Sequence, residues 1–478
     1  MKKNSSFIPM LLLLLVLSFA TSCHSTTKNA ENRYESGKFK VAPTPPMGWN
    51  SFDAYDCRIN EKEFKQTVDF MAENLLEFGW EYAVIDYVWF NDEPGNWNNP
   101  NKRFGHPNIR LDKNGLPLDT LVMDNYGRLL PSVKRFPSAA NGKGFKAIAD
   151  YVHAKGMKFG IHIMRGIPRE AYYNNLPIKG TKYIAKDIAE PFDTCEWQNN
   201  LFGVDASKPG AQEYYNSIFE LYAAWGVDFI KADDMMFHPY HKGEIEMIQK
   251  AIQNCGRPMV LSLSCGEAPL GRAEHLKENA TMWRVSADFW DKWKDLNHSF
   301  DLLNAWSSHI GPDSWPDADM IPFGHISLNN RPHGPERMSL FTPEEHKTLM
   351  TLFSIARSPL IIGADLLSTP KETIDTYFRN AEVLAVNQNS TDNRQVFKND
   401  KYAIWTATDP KSGDRYIAMF NLSDKPSKVR FDLEDESLRG NFKVRDLWNK
   451  KEIGTVNGKL EIDLGIHDAA LFRFTSVK

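Results

Sequence analysis

Several things are scarce in this chain. Five cysteines occur in 478 residues. Beyond Cys23, the four others (Cys57, Cys195, Cys255 and Cys265) match no zinc-ligand spacing; an exported protein could pair them, but in a large domain scattered cysteines suit buried apolar fillers. Basic residues do not outnumber acidic ones. The 57 Lys and Arg against 61 Asp and Glu leave a net charge of −4, with both signs interspersed, so no electrostatic nucleic-acid footprint is expected. There is neither an internal repeat nor a low-complexity tract. After the first twenty residues no apolar run is long enough to span a bilayer as a helix.

The N-terminus carries its own signal. Lys2 and Lys3 precede an apolar run from Met10 to Ala20, interrupted only by Ser18, too short for a membrane-spanning helix and typical of an export signal. Ala20-Thr21-Ser22-Cys23 resembles a bacterial lipobox, with an ordinary small-residue cleavage site as the plainer alternative. Residues 1–22 are therefore expected to be a lipoprotein signal, with Cys23 lipidated and residues 23–38 a polar tether. The expected location is the cell envelope of a bacterium, as a membrane-anchored lipoprotein or a periplasmic protein.

Downstream, eight strand-like runs can be marked: Met47–Ser51, Tyr82–Trp89, Lys158–Met164, Asp228–Ala232, Pro258–Ser264, Met282–Ser286, Trp315–Met320 and Ser358–Gly363. The seventh is the weakest, because it contains a proline and two aspartates. Helical spacing runs through Phe64, Val68, Met71, Leu75 and Phe78. Gly144–Lys155, Ala211–Trp225 and Thr342–Ala356 also read as helices, the last opened by a Thr342/Glu345 capping box. This alternation predicts an α/β fold, a (β/α)8 TIM barrel over residues 39–390. After Asn387 the pattern changes to short alternating runs: Tyr402–Ala407, Arg415–Phe420, Lys428–Phe431, Phe442–Val444, Lys459–Ile462 and Ala469–Phe474. They predict a C-terminal antiparallel β-sandwich over residues 391–478.

The strand C-terminal ends carry Trp49 and Asn50, Asp86 and Tyr87, His162, Asp233, Ser264 and Cys265, Arg284 and Asp288, Asp317 and Asp319, and Asp365. In a barrel that face holds the active site. Some strand-end Asp and Ser serve only as helix caps, but not a whole acidic ring. Strand alternation puts Lys231 and Asp233 on one face and Ala232 on the other. Lys231 beside Asp233 favours its ionised form. Asp288 lies beyond its strand, before Phe289 and Trp290, where partial desolvation would raise its pKa. Arg284 can fork two hydrogen bonds to neighbouring oxygens. Two carboxylates from different strands at one barrel end are what a retaining glycosidase needs: one attacks the sugar carbon, the other protonates the leaving oxygen. Structural ion pairs and a metal site are the competing readings. No His or Glu cluster lies near Asp233 and Asp234 to support the metal.

The run Thr44–Ser51 is highly particular, and with it the chain resembles glycoside hydrolase family 27, the α-galactosidases and α-N-acetylgalactosaminidases. Matching segments continue in order through Ile85-Asp86, Arg135-Phe136-Pro137, Asp150–Gly160, Trp225–Asp233, Trp283-Arg284 with Asp288, and Trp315–Met320. Ser358–Leu366, Leu384–Gln388 and His467–Phe474 complete them. The resemblance implies an exo-acting retaining glycosidase that removes terminal α-galactosyl or closely related residues without a cofactor. It implies Asp233 as nucleophile and Asp288 as acid/base. Trp49, Asp86, Tyr87, His162, Lys231, Cys265, Trp283 and Arg284 are the expected carbohydrate-binding residues. A non-catalytic glycan-binding lipoprotein is the alternative from another class, and composition says nothing of oligomeric state.

This chain departs from the family at informative places. Two adjacent aspartates usually follow the second strand and hold the 4- and 6-hydroxyls of galactose; here they are Asp86 and Tyr87. A phenol is bulkier than a carboxylate and neutral at pH 7. The resemblance therefore also admits a sugar without the hydroxymethyl group, such as a β-L-arabinopyranoside. His162 stands where many members have Tyr, followed by Met164-Arg165-Gly166; Arg165 reads either as a contact to a substituted sugar or as a surface charge. Gly266 stands where Glu or Ser often faces the sugar 2-position, which leaves room for a 2-acetamido group. Val88 and Met235 occupy the family's cysteine positions, which implies that Cys57 lacks its usual disulfide partner.

Overall fold

A computed structural model describes residues 37–92, 94, 110–111, 117–118, 121–236, 239–328 and 334–477. The expected signal segment, Cys23, almost all of the tether and most of residues 91–124, whose Asn, Asp, Gly and Pro content suggests a segment that shapes the pocket rim, lie outside the described residues. Lys38, expected at the end of the tether, is instead buried. Its Nζ donates to the carbonyls of Ala280 at 2.6 Å and Asp313 at 2.5 Å. Asp313 Oδ1 in turn accepts from the amides of Val41 and Ala42. Lys38 and the segment after it therefore seal the barrel's N-terminal end.

The eight barrel strands are β1 Met47–Asn50, β2 Tyr82–Ile85, β3 Lys158–Met164, β4 Phe229–Asp233, β5 Val260–Leu263, β6 Met282–Arg284, β7 Trp315–Asp317 and β8 Leu360–Ile362. All pair in parallel, in the order β7-β6-β5-β4-β3-β2-β1-β8. Ile321, just after β7, closes the ring through a parallel bridge to Ile362. The weak seventh run thus forms a short strand, and a residue beyond it completes the closure. Inside the barrel floor pack Tyr82, Val84, Phe229, Val260, Met282 and Trp315. These are the apolar inward positions of five strands, and polar inward positions follow only towards the C-terminal ends.

The longer surrounding helices include Glu61–Asn74, Lys146–Ala154, Ala211–Trp225, Lys242–Asn254, Trp293–Trp306, Pro343–Ile355 and Ala381–Asn389. The expected capping box is present, with Thr342 Oγ1 accepting from the Glu345 amide and Glu345 Oε2 from the Thr342 amide. No described helix is long and apolar enough to cross a membrane.

Residues 391–477 form a six-stranded antiparallel sheet faced by a two-stranded one, Ser427–Asp432 with Lys459–Leu464. Alternation decides where each face goes. Ile404, Ile417, Phe472 and Phe474 face the small sheet, whereas Trp405, Ala418, Phe420 and Leu471 join the barrel's own core. Phe300 meets Phe420 edge-on at 4.9 Å, and His467 stacks on Trp293 at 3.6 Å. The second domain is thus packed on the side of the barrel. Two of its strands, Thr391–Lys398 and Lys451–Val456, lack the alternation that marks the others, because most of their residues are exposed.

Candidate active site

The barrel's C-terminal mouth holds a cavity of about 240 Å³ lined by Asp86, Tyr87, Lys231, Asp233, Cys265, Arg284 and Asp288, together with residues discussed below. Seven of the ten expected catalytic and binding residues therefore come together.

Strand β4 supplies the centre. Lys231 and Asp233 both line the cavity, while Ala232 is fully buried on the other face. Lys231 Nζ donates to Asp86 Oδ2 at 2.9 Å, and Asn50 Nδ2 donates to the same oxygen at 2.6 Å. The Asp86 backbone amide donates to Ser51 Oγ at 3.0 Å, which holds the chain at that point. Burial alone would raise Asp86, but Lys231, His162 and the Asn50 amide outweigh it and hold the acid at about 2. Lys231 responds in kind: burial would lower it, and Asp86, Asp319 and Asp233 keep it above its ordinary range.

Asp233 is held from two sides. Its Oδ2 lies 3.1 Å from His162 Nε2, and its Oδ1 accepts the Asp234 amide at 2.7 Å. These bonds and Lys231 overcome the upward push of burial, so Asp233 sits below the usual carboxylate range. His162 pairs with Lys231 across the β3–β4 register and is 1% exposed. It supports Asp233 from within the barrel wall and does not line the cavity.

Across the mouth, Arg284 Nη2 binds Asp319 Oδ2 at 2.9 Å and Asp288 Oδ1 at 3.3 Å. Arg284 is buried, whereas the Asp288 side chain is 57% exposed. Phe289 and Trp290, expected to desolvate Asp288, instead leave it open to the cavity. Asp319 also accepts the Phe289 amide at 2.9 Å, so Arg284 and Asp319 together orient the loop that carries Asp288. The cavity lining holds five carboxyl groups, on Asp53, Asp86, Asp233, Asp288 and Asp319, against two cations. They cannot all ionise together cheaply. Burial and neighbouring acids raise Asp319 and Asp53, and Asp317 beneath them is pushed up to about 6.

Two expected residues are elsewhere. Trp49 is fully buried, donates its Nε1 to the Ala364 carbonyl at 2.8 Å and packs against Tyr55 and Phe64. Trp283 is equally buried and lies against Trp306. The cause is strand alternation: Asn50 and Arg284 point into the barrel, so the preceding tryptophans point out. Phe52 lines the cavity instead, with Lys231 Nζ 5.8 Å from its ring centroid.

Arg165 is neither a surface charge nor a cavity residue. It is buried and pairs with Asp193, Asp234 and Glu244 at 2.7–3.1 Å. Asp193, Glu244 and His241 bring ligand-type atoms within 4.8 Å of one another, and the guanidinium is the cation of that cluster. Cys57, Cys195, Cys255 and Cys265 form no disulfide with one another.

Phe52, Asp53, Trp197, Ala287 and Met320 line the cavity without having been marked as site residues, and Asp319 does so without an assigned role. Asp319 was legible as a strand-end carboxylate. Trp197 lies in the long excursion between β3 and β4, where no periodic pattern announces it.

Comparison with known proteins agrees with this geometry. The family described as "Alpha galactosidase A" matches residues 201–389, and the "Alpha galactosidase C-terminal beta sandwich domain" matches residues 399–474. A crystal structure of a GH27 β-L-arabinopyranosidase from Geobacillus stearothermophilus is 45% identical with a TM-score of 0.85, covering 93% of this chain and 98% of that one. Alpha-galactosidase 3 of Arabidopsis thaliana is 27% identical over 91% of this chain and 82% of its own. Alpha-galactosidase A of Cellvibrio japonicus is 25% identical over 97% of this chain and 98% of its own.

Proposed function

Because the chain belongs to glycoside hydrolase family 27, and so is a glycoside hydrolase acting on carbohydrate, we propose that it removes terminal β-L-arabinopyranosyl residues with retention of configuration. The observation that carries this choice is Tyr87. β-L-Arabinopyranose has the ring configuration of α-D-galactopyranose without the hydroxymethyl group. Tyr87 lines the cavity, 3% exposed, edge-on to Phe52 at 6.4 Å and to His162 at 5.4 Å. Next to Asp86, this wedge of rings replaces a carboxylate with bulk, which suits a sugar carrying hydrogen at that carbon. The arabinopyranosidase relative supports the same choice.

The proposed chemistry uses two carboxyls. Asp233 attacks the anomeric carbon as the glycosidic bond breaks, and Asp288 gives its proton to the departing oxygen. A water then enters, Asp288 takes its proton, and the hydroxide displaces Asp233. The low-lying Asp233 stays ionised, and the exposed Asp288 can reach both the leaving group and water. Asp86 and Lys231 bind ring hydroxyls on one side, and Arg284 binds them on the other.

A panel of p-nitrophenyl glycosides tests the sugar. Turnover of the β-L-arabinopyranoside should exceed that of the α-galactoside by about tenfold or more in kcat/KM. Tyr87→Asp should shift that ratio towards the galactoside by a similar factor. A wild-type preference for the α-galactoside overturns the arabinoside reading.

The envelope anchor belongs to the same proposal, supported by the Ala20–Cys23 run and the apolar stretch before it. Expressed in a bacterium, the full chain should partition with membranes, and Cys23→Ser should release it. Equal partitioning of both forms excludes a lipid on Cys23.

A further inference from the structure

Asp53 lines the cavity but has no part in the chemistry assigned above. It lies just past β1, its backbone carbonyl held by the Ser327 amide at 2.8 Å. Its side chain enters the barrel mouth where residue 363 would otherwise point. A Cβ on Gly363 would stand 2.0 Å from Asp53 Oδ2, so the glycine after β8 leaves the slot that the carboxyl fills. Oδ2 is buried there with no hydrogen-bond partner among the described residues, which leaves Oδ1 as the oxygen presented to a ligand.

The surroundings say what that oxygen can do. Burial, then Asp319, raise Asp53 well above the ordinary carboxylate range; Lys231 opposes, while Asp288 and Asp86 add to the rise. A carboxyl kept neutral donates a hydrogen bond as well as accepting one. With Oδ2 held in the slot at Gly363, Oδ1 is the atom through which a hydroxyl entering the cavity can pair with this carboxyl. For the proposed reaction the anomeric carbon lies between Asp233 and Asp288. The rest of the ring then extends towards Asp86 and Lys231, which with Asp319 and Asp288 are the charged groups acting on Asp53.

We propose that Asp53 is a further positioning and specificity residue, whose carboxyl hydrogen-bonds one ring hydroxyl on the side of the sugar away from the leaving group. This rests on the glycosidase reading and adds a contact to it. The test compares wild type, Asp53→Ala and Asp53→Asn on whichever p-nitrophenyl glycoside the wild type turns over, and on the monodeoxy analogues of that glycoside. Asp53→Ala should lower kcat/KM about 30-fold or more on the parent, but less than about 3-fold on the one analogue lacking the contacted hydroxyl. Asp53→Asn, neutral and able to donate, should recover at least about tenfold of that loss. An equal loss on every analogue, with the unfolding midpoint unchanged, overturns the contact and leaves only a packing role. Should Asp53→Ala not fold, Asp53→Ser carries the same comparison. If wild type turns over none of the glycosides, the glycosidase reading fails as well. If it turns them over and the losses are uniform, only the Asp53 contact fails.

Discussion

Asp233→Asn should lower kcat by about 10⁴-fold or more while arabinose still binds. The amide keeps the shape of the carboxyl, the Asp234 amide contact and the cavity wall, so the ground-state site survives. It cannot form the covalent glycosyl ester, and no neighbour can replace it. His162 is buried behind it, and Asp86 is committed to Lys231 and Asn50. The measurement is single-turnover hydrolysis of the p-nitrophenyl glycoside, with binding followed by titration calorimetry. Activity within about tenfold of wild type would remove Asp233 from the nucleophile role. A wild-type protein that binds the sugar and never turns it over would instead favour a glycan-capturing lipoprotein. Activity lost with EDTA and restored by a divalent metal would favour metal-dependent hydrolysis.

The second large effect is at Asp288, and its size should depend on the substrate. Asp288→Ala should cost about 10²- to 10⁴-fold with a poor leaving group, because general acid catalysis supplies a factor of that order. With 2,4-dinitrophenol as leaving group the first step needs no proton, so the loss in kcat/KM should nearly vanish. Added azide should then restore turnover by attacking the glycosyl-enzyme, with a glycosyl azide of retained configuration as product. The same rescue of an Asp233→Ala enzyme would give the inverted azide. The two products therefore separate the two roles, even if both variants look equally dead with a natural substrate. A uniform loss at Asp288→Ala across leaving groups would reject it as the acid. Asp319 would then be the next candidate, although it is buried and bound to Arg284 and to the Phe289 amide, whereas the Asp288 side chain is 57% exposed.

Much of this was legible in the chain. The β3 run, Lys158–Met164, and the helix Ala211–Trp225 match their observed limits, because apolar spacing and flanking turn residues mark both ends. Of the other barrel strands, six are shorter than their sequence runs and the fourth, Phe229–Asp233, lies one residue later than Asp228–Ala232, since extended backbone continues past the last ladder bond. Lys231 and Asp233 were placed on one face by counting alone. The same counting, applied to Trp49 and Trp283, would have turned both outward once Asn50 and Arg284 were assigned to the inside. At both positions aromatic character, which suits sugar stacking, competes with the two-residue period of the strand, and the period decides. Phe52 escaped for the opposite reason: it follows the strand, where alternation no longer applies.

What the residues determine by themselves is local and periodic: strand, helix, the change to a sandwich after Asn387, and which carboxylates end strands. These depend on neighbours within a few positions, and the backbone repeats enforce them. What only the folded barrel decides is which of those groups share a space and in what charge state. Asp86 is drawn down to about 2 and Asp53 is driven up, although both are buried aspartates just past neighbouring strands. The difference is that Lys231, 145 positions away, reaches one carboxyl at 2.9 Å, while a glycine 310 positions from the other leaves it a slot in which Oδ2 has no hydrogen-bond partner among the described residues. Desolvation and through-space charge act over ångströms, not over sequence, so no reading of the chain in order could assign them.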